Sequence, residues 1–375
     1  MRIQVRLPSV SVKLEGRPSA CPHCGCPILQ GWGRPGKKVR DPRREEVEVR
    51  RYKCTRCGKT FRHYPQGVTH RQQSQRLRAL SVLLYVLGLA YDGASTVLGA
   101  LGCGLGKTAV YENVQAVGEE AKRLRRKRLQ RLRGRVKVAG VDVTAYKCGG
   151  EKVLLAVLVS ALGDEVLDIE LVAEESEEEL EEWLADVVEL LGLEVLVSDD
   201  AGPYKGVADS FGVEHQVCIA HMRKWVKRRI RELRKQSESQ GETGEQLSED
   251  LGRVGQLVKE LPTEGEKELE ELHLRYRRAP PPKRGERASA YYRMRMLTLH
   301  LWENWARYRL FKSWEGEVSL DGTNNMSERA IGRSGKVRYR LMRGYKRRAS
   351  ILNVVGLMGW LDSQRPWCDL SQLVA

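Results

Sequence analysis

Hydrophobic and polar positions change period along this chain, and the changes outline its parts. From about Arg71 to Arg133 the spacing is helical. Leu77, Leu80, Leu84 and Leu87 mark one helix within Arg76 to Ala90, and Asp92 to Ala100 fits a second. A glycine-rich turn, Leu101 to Gly106, then leads into a third from Lys107 to Val117. From Val136 the pattern becomes strand-like. Runs from Lys137 to Thr144, Lys152 to Leu162 and Glu165 to Val172 are separated by Gly149-Gly150 and Gly163-Asp164, both tight-turn signals. Glu174 to Leu191 is an acidic amphipathic helix, Leu193 to Asp199 a fourth strand, Pro203 to Phe211 a short helix and Val213 to Cys218 a fifth strand.

Strands joined by tight turns are antiparallel, whereas a strand reached through a helix normally runs parallel to its neighbour. The order therefore predicts a mixed five-stranded sheet with helices on its faces, in a multidomain α/β protein. His221 to about Leu320 reads as charged and helical, with a polar interruption from Gln236 to Asp250 and a break at Pro280-Pro281-Pro282. This is an all-α insertion. Met326 to about Trp360 returns to a core-like helical pattern. Residues 1 to about 68 are loop-rich. The predicted domains are 1–68, 69–135, 136–221, 222–320 and 321–375.

Charge adds a partner to this picture. Lys and Arg total 65 against 49 Asp and Glu, a net +16. Such a surplus points to a polyanion, most commonly nucleic acid. The charge is clustered: Ala121 to Lys137 and Arg333 to Arg348 contain no acid, and Arg223 to Lys235 contains only Glu232. No apolar run is long enough to span a bilayer, and the N-terminus lacks a signal core. The expected setting is the reducing cytoplasm, where nine cysteines are metal ligands or core residues rather than a disulfide framework.

Four of those cysteines form two matched knuckles, Cys21-Pro22-His23-Cys24-Gly25 and Cys54-Thr55-Arg56-Cys57-Gly58. Two intervening residues let both thiolates reach one ion, and the glycine lets the chain turn beneath it. Four thiolates suit a structural Zn²⁺, with iron as the chemical alternative. The segment is a zinc ribbon, with His23 and Cys26 outside the ligand set. The three helices that follow have the helix-turn-helix layout. The last would enter the major groove and present Lys107, Thr108, Tyr111, Glu112 and Gln115. Gly106-Lys107-Thr108 also resembles the end of a nucleotide-binding loop. Against that reading, the motif's first glycine would fall on Leu101, and the preceding segment is helical.

Asp142 lies near the end of the first strand, in Gly140-Val141-Asp142, and Asp199 ends the fourth, in Val197-Ser198-Asp199-Asp200. A helical crossover places these two strands side by side, so both carboxylates emerge at one end of the sheet. Adjacent carboxylates repel unless a cation lies between them. Glu328, in Asn324-Asn325-Met326-Ser327-Glu328-Arg329, would complete a cage for two Mg²⁺ ions suited to in-line phosphoryl displacement.

These motifs resemble the DDE transposases of bacterial and archaeal insertion sequences, whose core is RNase-H-like. The resemblance covers roughly residues 136–360. Cys218-Ile219-Ala220-His221 resembles the Cys-x-x-His motif of the mutator-, hAT- and insertion-sequence-like division, where a helical insertion before the Glu is typical. A zinc ribbon and helix-turn-helix at the front are also common in this group. Asp200 directly follows Asp199, and the family register favours Asp199 as the ligand.

The resemblance implies a Mg²⁺-dependent recombinase. Activated water cuts at the transposon ends, and the freed 3′-hydroxyl attacks target DNA without a covalent protein intermediate. It further implies that His221 positions the scissile phosphate and that Arg329, Lys336 and the run to Arg348 hold backbone phosphates. The expected partners are double-stranded DNA, as element ends and target, and a second copy or more of the chain on that DNA, nucleoid-associated and away from membranes. Trp302 and Trp305 are either core residues or a stacking platform for a splayed base. Two competing readings are a domesticated DNA-binding regulator and a structure-specific nuclease with the same core.

Overall fold

The structure is a computed structural model that describes residues 4–239 and 244–374. The first three residues of the N-terminal segment and the centre of the polar interruption lie outside the described residues. The chain forms two compact units. One comprises residues up to 128, 146–152 and 331–375; the other comprises 129–145 and 153–330.

The first 68 residues hold more regular structure than their loop-rich composition predicts. After β1 (Gln4–Arg6), strands β2 (Leu29–Gly31), β5 (Arg50–Cys54) and β6 (Thr60–His63) form a three-stranded sheet. Strands β3 (Gly36–Asp41) and β4 (Arg44–Glu48) form a separate hairpin. The strands are only three to six residues long, too short for alternation to register as a period. Val39, Val47 and Val49 nevertheless bury together with Val10 and Val68.

Three helices follow: α1 (Gln75–Val86), α2 (Tyr91–Ala100) and α3 (Lys107–Arg131). Ser74 caps α1, its hydroxyl accepting from the Leu77 amide at 3.0 Å and donating to Asp41 at 2.6 Å. Leu77, Ala94, Leu98, Leu105 and Val110 form the core of this trio. The third helix runs well beyond Val117. Val110, Val114, Val117 and Ala121 bury one continuous stripe, and the basic residues that follow are good helix formers.

Strands β7 (Val138–Cys148), β8 (Glu151–Ser160) and β9 (Val166–Val172) are joined by the two predicted turns. Gly149 and Gly150 both adopt positive φ, at 62° and 97°. The helix α4 (Glu177–Leu191) starts at Ser176, which accepts from the Glu179 amide, and ends at left-handed Gly192. It leads to β10 (Val195–Ser198), α5 (Gly202–Ser210) and β11 (Glu214–Val217). The five strands form one mixed sheet in the order β11-β10-β7-β8-β9, with β10 parallel to both β7 and β11.

Next come α6 (Ile219–Ser239), α7 (Glu245–Glu260), α8 (Gly265–Tyr276), α9 (Ala290–Glu303) and α10 (Trp305–Ser313). They close around a core that includes Leu251, Leu269, Met294, Leu301, Trp305 and Tyr308. Trp305 is only 1% exposed. Trp302 packs on the same core, with its ring 5.8 Å from His273. Both tryptophans therefore serve packing.

Helix α11 (Asn325–Ile331) continues into a π-turn at Gly332–Lys336 and a short α12 (Val337–Tyr339); α13 (Arg348–Ser363) and β12 (Trp367–Asp369) end the chain's regular structure. The helical run predicted from Met326 to Trp360 is thus interrupted. Between α12 and α13, Tyr345 exchanges backbone hydrogen bonds with Lys147 and Gly149, each 2.8 Å, which draws the segment into an extended bridge. Among the described residues, no helix is long and apolar enough to cross a membrane.

Candidate catalytic and metal-binding sites

The matched knuckles place four sulfurs together. The Sγ atoms of Cys21, Cys24, Cys54 and Cys57 all lie within 4.8 Å of one another. Cys21 is 3.8 Å from Cys57, and Cys24 is 3.6 Å from Cys54. A tetrahedron with metal–sulfur bonds of about 2.3 Å has edges of about 3.8 Å, so the spacing fits one thiophilic ion. The backbone agrees with the expected turns: Gly25 and Gly58 take φ of 70° and 69°, and their amides donate to the carbonyls of Cys21 and Cys54. The Cys57 amide leads the interactions that hold the Cys54 thiol below its usual range. Cys26 is buried beside the cluster, and its thiol faces the Ile28 carbonyl at 3.9 Å.

The carboxylates come together by strand register. In the parallel pair, Val195 aligns with Val138, Leu196 with Ala139 and Val197 with Gly140. Continued by two residues, that offset sets Asp199 level with Asp142 on strands about 4.8 Å apart. The position is the topological switch of the sheet, where the chain leaves β7 on one side and returns through β10 on the other. Both residues are half-buried. Burial, followed by the charge of Glu175, pushes the Asp199 carboxyl up from its ordinary value.

Asp142 is not near the end of its strand as the pattern predicted: β7 continues to Cys148, because the hairpin to β8 forms beyond it, while Asp199 lies just past the end of β10. Helix α11, which carries Glu328, is fastened to β7 beside Asp142. Asn324 donates its side-chain N–H to the Val141 carbonyl at 2.8 Å, directly before Asp142. Its backbone amide reaches the Cys218 sulfur at 3.3 Å, and the Ile219 amide donates to Gly322 at 2.9 Å. The Cys218-to-His221 motif thus ties the start of α6 to the segment before Glu328. His221 Nε2 lies 3.4 Å from Glu328 Oε1, with both side chains about half exposed. Gly140 makes the close approach possible. A Cβ there would lie 2.5 Å from both Asn324 Oδ1 and Ser327 Oγ. Gly140→Ala should therefore destabilise the fold by roughly 1–3 kcal/mol, read by chemical denaturation. An unchanged midpoint would contradict the tight seat.

Asp199 and Asp200 separate clearly in their surroundings. Asp200 accepts from Tyr308 Oη at 2.7 Å and His300 at 2.8 Å, and pairs with Lys205 at 2.6 Å. Burial acts to raise its carboxyl, but His300 and Lys205 outweigh that and hold it below its ordinary value. The Asp199 side chain accepts from the Ala201 amide at 3.3 Å, a longer and weaker bond than any of these.

Beneath them lies a residue that sequence reasoning missed. His215, on β11, is buried, its Nε2 2.8 Å from Ser198 Oγ and its Nδ1 3.1 Å from Arg307. The Ser198 hydroxyl donates to the Asp199 carbonyl, and Arg307 has only N–H to offer. The ring is therefore the neutral tautomer with its proton on Nε2. Burial, then Arg307 and Lys205, push its pKa down to about 3. The unfolded chain takes up this proton near pH 6.5 and the folded chain does not. Stability should thus fall by about 1.4 kcal/mol per pH unit from about pH 6.5 towards pH 3. His215→Gln should remove that slope in denaturation curves measured between pH 7 and 4; an identical slope would contradict the neutral buried ring. A lone histidine in a short strand carries no period or spacing that reveals this role.

Glu175 was hidden differently, as one of many acids ahead of α4. It accepts from the Tyr204 hydroxyl at 2.6 Å. The buried phenol lies within the fields of Glu175, Asp199 and Asp142, so its pKa rises, with burial the largest cause. Among the described residues, the four thiolates are the only group of three or more metal-ligating side chains whose atoms all lie within 4.8 Å. Asp142 and Asp199 are level by register, and Glu328 follows the Asn324 contact to Val141, but the three are not drawn that close. Their all-oxygen donor set suits a hard cation such as Mg²⁺, and a cation would relieve the disfavoured charge on Asp199.

The predicted DNA-contacting residues have mixed surroundings. Lys107 and Thr108 are exposed at the start of α3. Tyr111 and Gln115 are half-buried against α13, Gln115 accepting from Asn353 at 3.1 Å and Tyr111 Oη lying 3.5 Å from Ser350 Oγ. Arg329 makes two 2.8 Å bonds to Asp164, and Lys336 is exposed. Within the basic run, Arg338 is buried, stacked 4.1 Å over Tyr85 and bonded to the Gly88 and Leu89 carbonyls.

No family model and no curated protein matches this chain. Among solved structures, the trimeric and dimeric forms of the HTLV-2 integrase catalytic core domain in complex with magnesium are each 18% identical, with a TM-score of 0.20 over 26% of this chain and 70% of theirs. The catalytic core domain of BIV integrase is 12% identical, with a TM-score of 0.20 over 52% of this chain and 97% of its own.

Proposed function

We propose that this protein is a DNA transposase with an RNase-H-like DDE core, fronted by a zinc ribbon and a helix-turn-helix. One observation carries the reading: Asp142 and Asp199 are level by register on adjacent parallel strands at the sheet's switch point, and Asn324, four residues before Glu328, is bonded to the Val141 carbonyl. Asp142, Asp199 and Glu328 would hold Mg²⁺, which supplies a polarised water and charge stabilisation for in-line phosphoryl displacement. The chain's own residues prepare that site. Asn324 fixes the Val141 carbonyl beside Asp142, the Ser198–His215–Arg307 relay fixes the end of β10, and His221 adjoins Glu328. His221 is suited to positioning the scissile phosphate. Lys107, Thr108 and Lys336 are exposed cations or donors for DNA binding, whereas Tyr111, Gln115 and Arg329 would have to leave existing partners to take part.

The test uses pre-cut element-end DNA, taken from the repeats flanking the gene, with a target plasmid and Mg²⁺. Covalent joining of end to target is expected. Hydrolysis without joining would indicate a nuclease instead, and tight end binding with neither product would indicate a regulator.

A further inference from the structure

The first 68 residues carry sixteen Lys and Arg against five Asp and Glu, so they supply eleven of the chain's surplus of sixteen positive charges. Much of this charge is concentrated on the Cys₄ ribbon. Arg17, Arg34, Arg50 and Arg51 line an open cleft of about 400 Å³. Its floor is the buried ring of Tyr52, and its wall includes Gly31 and Gly33. Backbone bonds from Trp32 to the Arg51 carbonyl (2.7 Å) and from Arg51 to the Gly33 carbonyl (2.9 Å) hold that wall against β5. Gly33 takes φ 127°, a conformation that side chains rarely adopt.

One of the arginines is fixed before any ligand arrives. Arg17 donates to the Leu29 carbonyl at 2.6 Å and lies 5.6 Å over the Tyr52 ring, whereas the Arg51 side chain donates to Thr60 at 3.0 Å on the opposite face of β5 and contributes its backbone to the wall. The acid paired with the group is Glu48, 3.2 Å from Arg50. Arg17, Arg34 and Arg50 around the Tyr52 face of the sheet, with one paired carboxylate, leave an unmatched positive field. Planar N–H forks match the paired oxygens of a phosphate better than they match any neutral group. Trp32, between the two wall glycines, is 46% exposed, and Lys53 Nζ lies 4.6 Å over its ring.

We infer that this cleft is a second DNA-binding site, which holds backbone phosphates of the duplex independently of α1–α3. The inference rests on the reading of the chain as a DNA-acting protein. The full-length chain, purified with its metal and assayed without Mg²⁺, should bind both element ends and unrelated duplexes with a steep salt dependence. Arg34→Ala with Arg50→Ala should weaken binding to both DNAs alike. It should also reduce the log–log salt slope by about 0.9 for each phosphate that the variant no longer neutralises. Arg50→Lys should keep the slope while lowering affinity, because the charge stays and the fork is removed. Arg44→Ala, on the β3–β4 hairpin, is the surface control and should leave the slope unchanged. Zinc content and circular dichroism check that the variants remain folded.

An unchanged slope in the folded double variant would overturn the inference. So would loss of self-association at an unchanged slope, which would assign the cleft to an acidic protein segment such as the Glu-rich α4 of another copy. Absence of duplex binding by the wild type would instead overturn the transposase reading on which the inference rests.

Discussion

Asp142→Asn, Asp199→Asn and Glu328→Gln should each suppress strand cleavage and joining by a factor on the order of 10²–10³ or more, while end binding stays near the wild-type level. The carboxylates contribute negative charge and cannot themselves attract DNA, so their removal spares affinity. Each amide keeps the shape of the side chain but removes the charge needed to hold a hard cation.

The stability of these variants sharpens the test. Burial and then the charge of Glu175 disfavour the ionised form of Asp199 in the folded chain and raise its pKa. Asp199→Asn should therefore leave the thermal midpoint unchanged or raise it. It should also abolish the stabilisation that Mg²⁺ gives the wild type. Asp200→Asn should do the opposite. It breaks a largely buried group with Lys205, His300 and Tyr308, at a cost of about 3 kcal/mol, and should keep the response to Mg²⁺. Joining by Glu328→Gln at wild-type rates would refute the triad. A Mg²⁺ response abolished in Asp200→Asn but kept in Asp199→Asn would move the second ligand by one residue.

The other large effect is expected at the Cys₄ cluster. The purified chain should contain about one zinc per molecule. Its binding is worth about 10–16 kcal/mol in isolated small zinc domains, because such segments have too little core to fold unaided. Here the ribbon core is little more than Leu29, Tyr52, Phe61 and the cysteines themselves. Cys54→Ser, or a strong chelator, should release the metal and open residues 15–63 to proteolysis while the five-stranded sheet stays protected. Equal protease resistance with and without metal would show that the ribbon does not depend on it.

Much of this molecule is written in local pattern. The five strands and the helices between them fall where apolar period and turn glycines put them, because period-2 and period-3.6 stripes must face a core. The two knuckles declare which four cysteines cluster, because spacing and the glycine together carry the geometry. The order of connections even places β10 beside β7, since a helical crossover leaves few alternatives. The sequence by itself therefore determined the sheet, the thiolate set and the candidacy of Asp142, Asp199 and Glu328.

Tertiary structure decided what lies around those residues. Asp199 and Asp200 are chemically identical neighbours, and only the approach of Lys205, His300 and Tyr308 makes one a packing carboxylate. Asn324 meets Val141 across 183 residues, and His215 meets Arg307 across 92. The stripe of α3 continues unbroken past Val117, while the final helix breaks at Tyr345 to pair with Lys147 and Gly149. The arginine cleft arises because residues 17, 34, 50 and 51 converge on Tyr52. None of these meetings has a period or a spacing. They are set when distant segments pack and each buried polar group must find a partner, a requirement that acts on the folded chain as a whole.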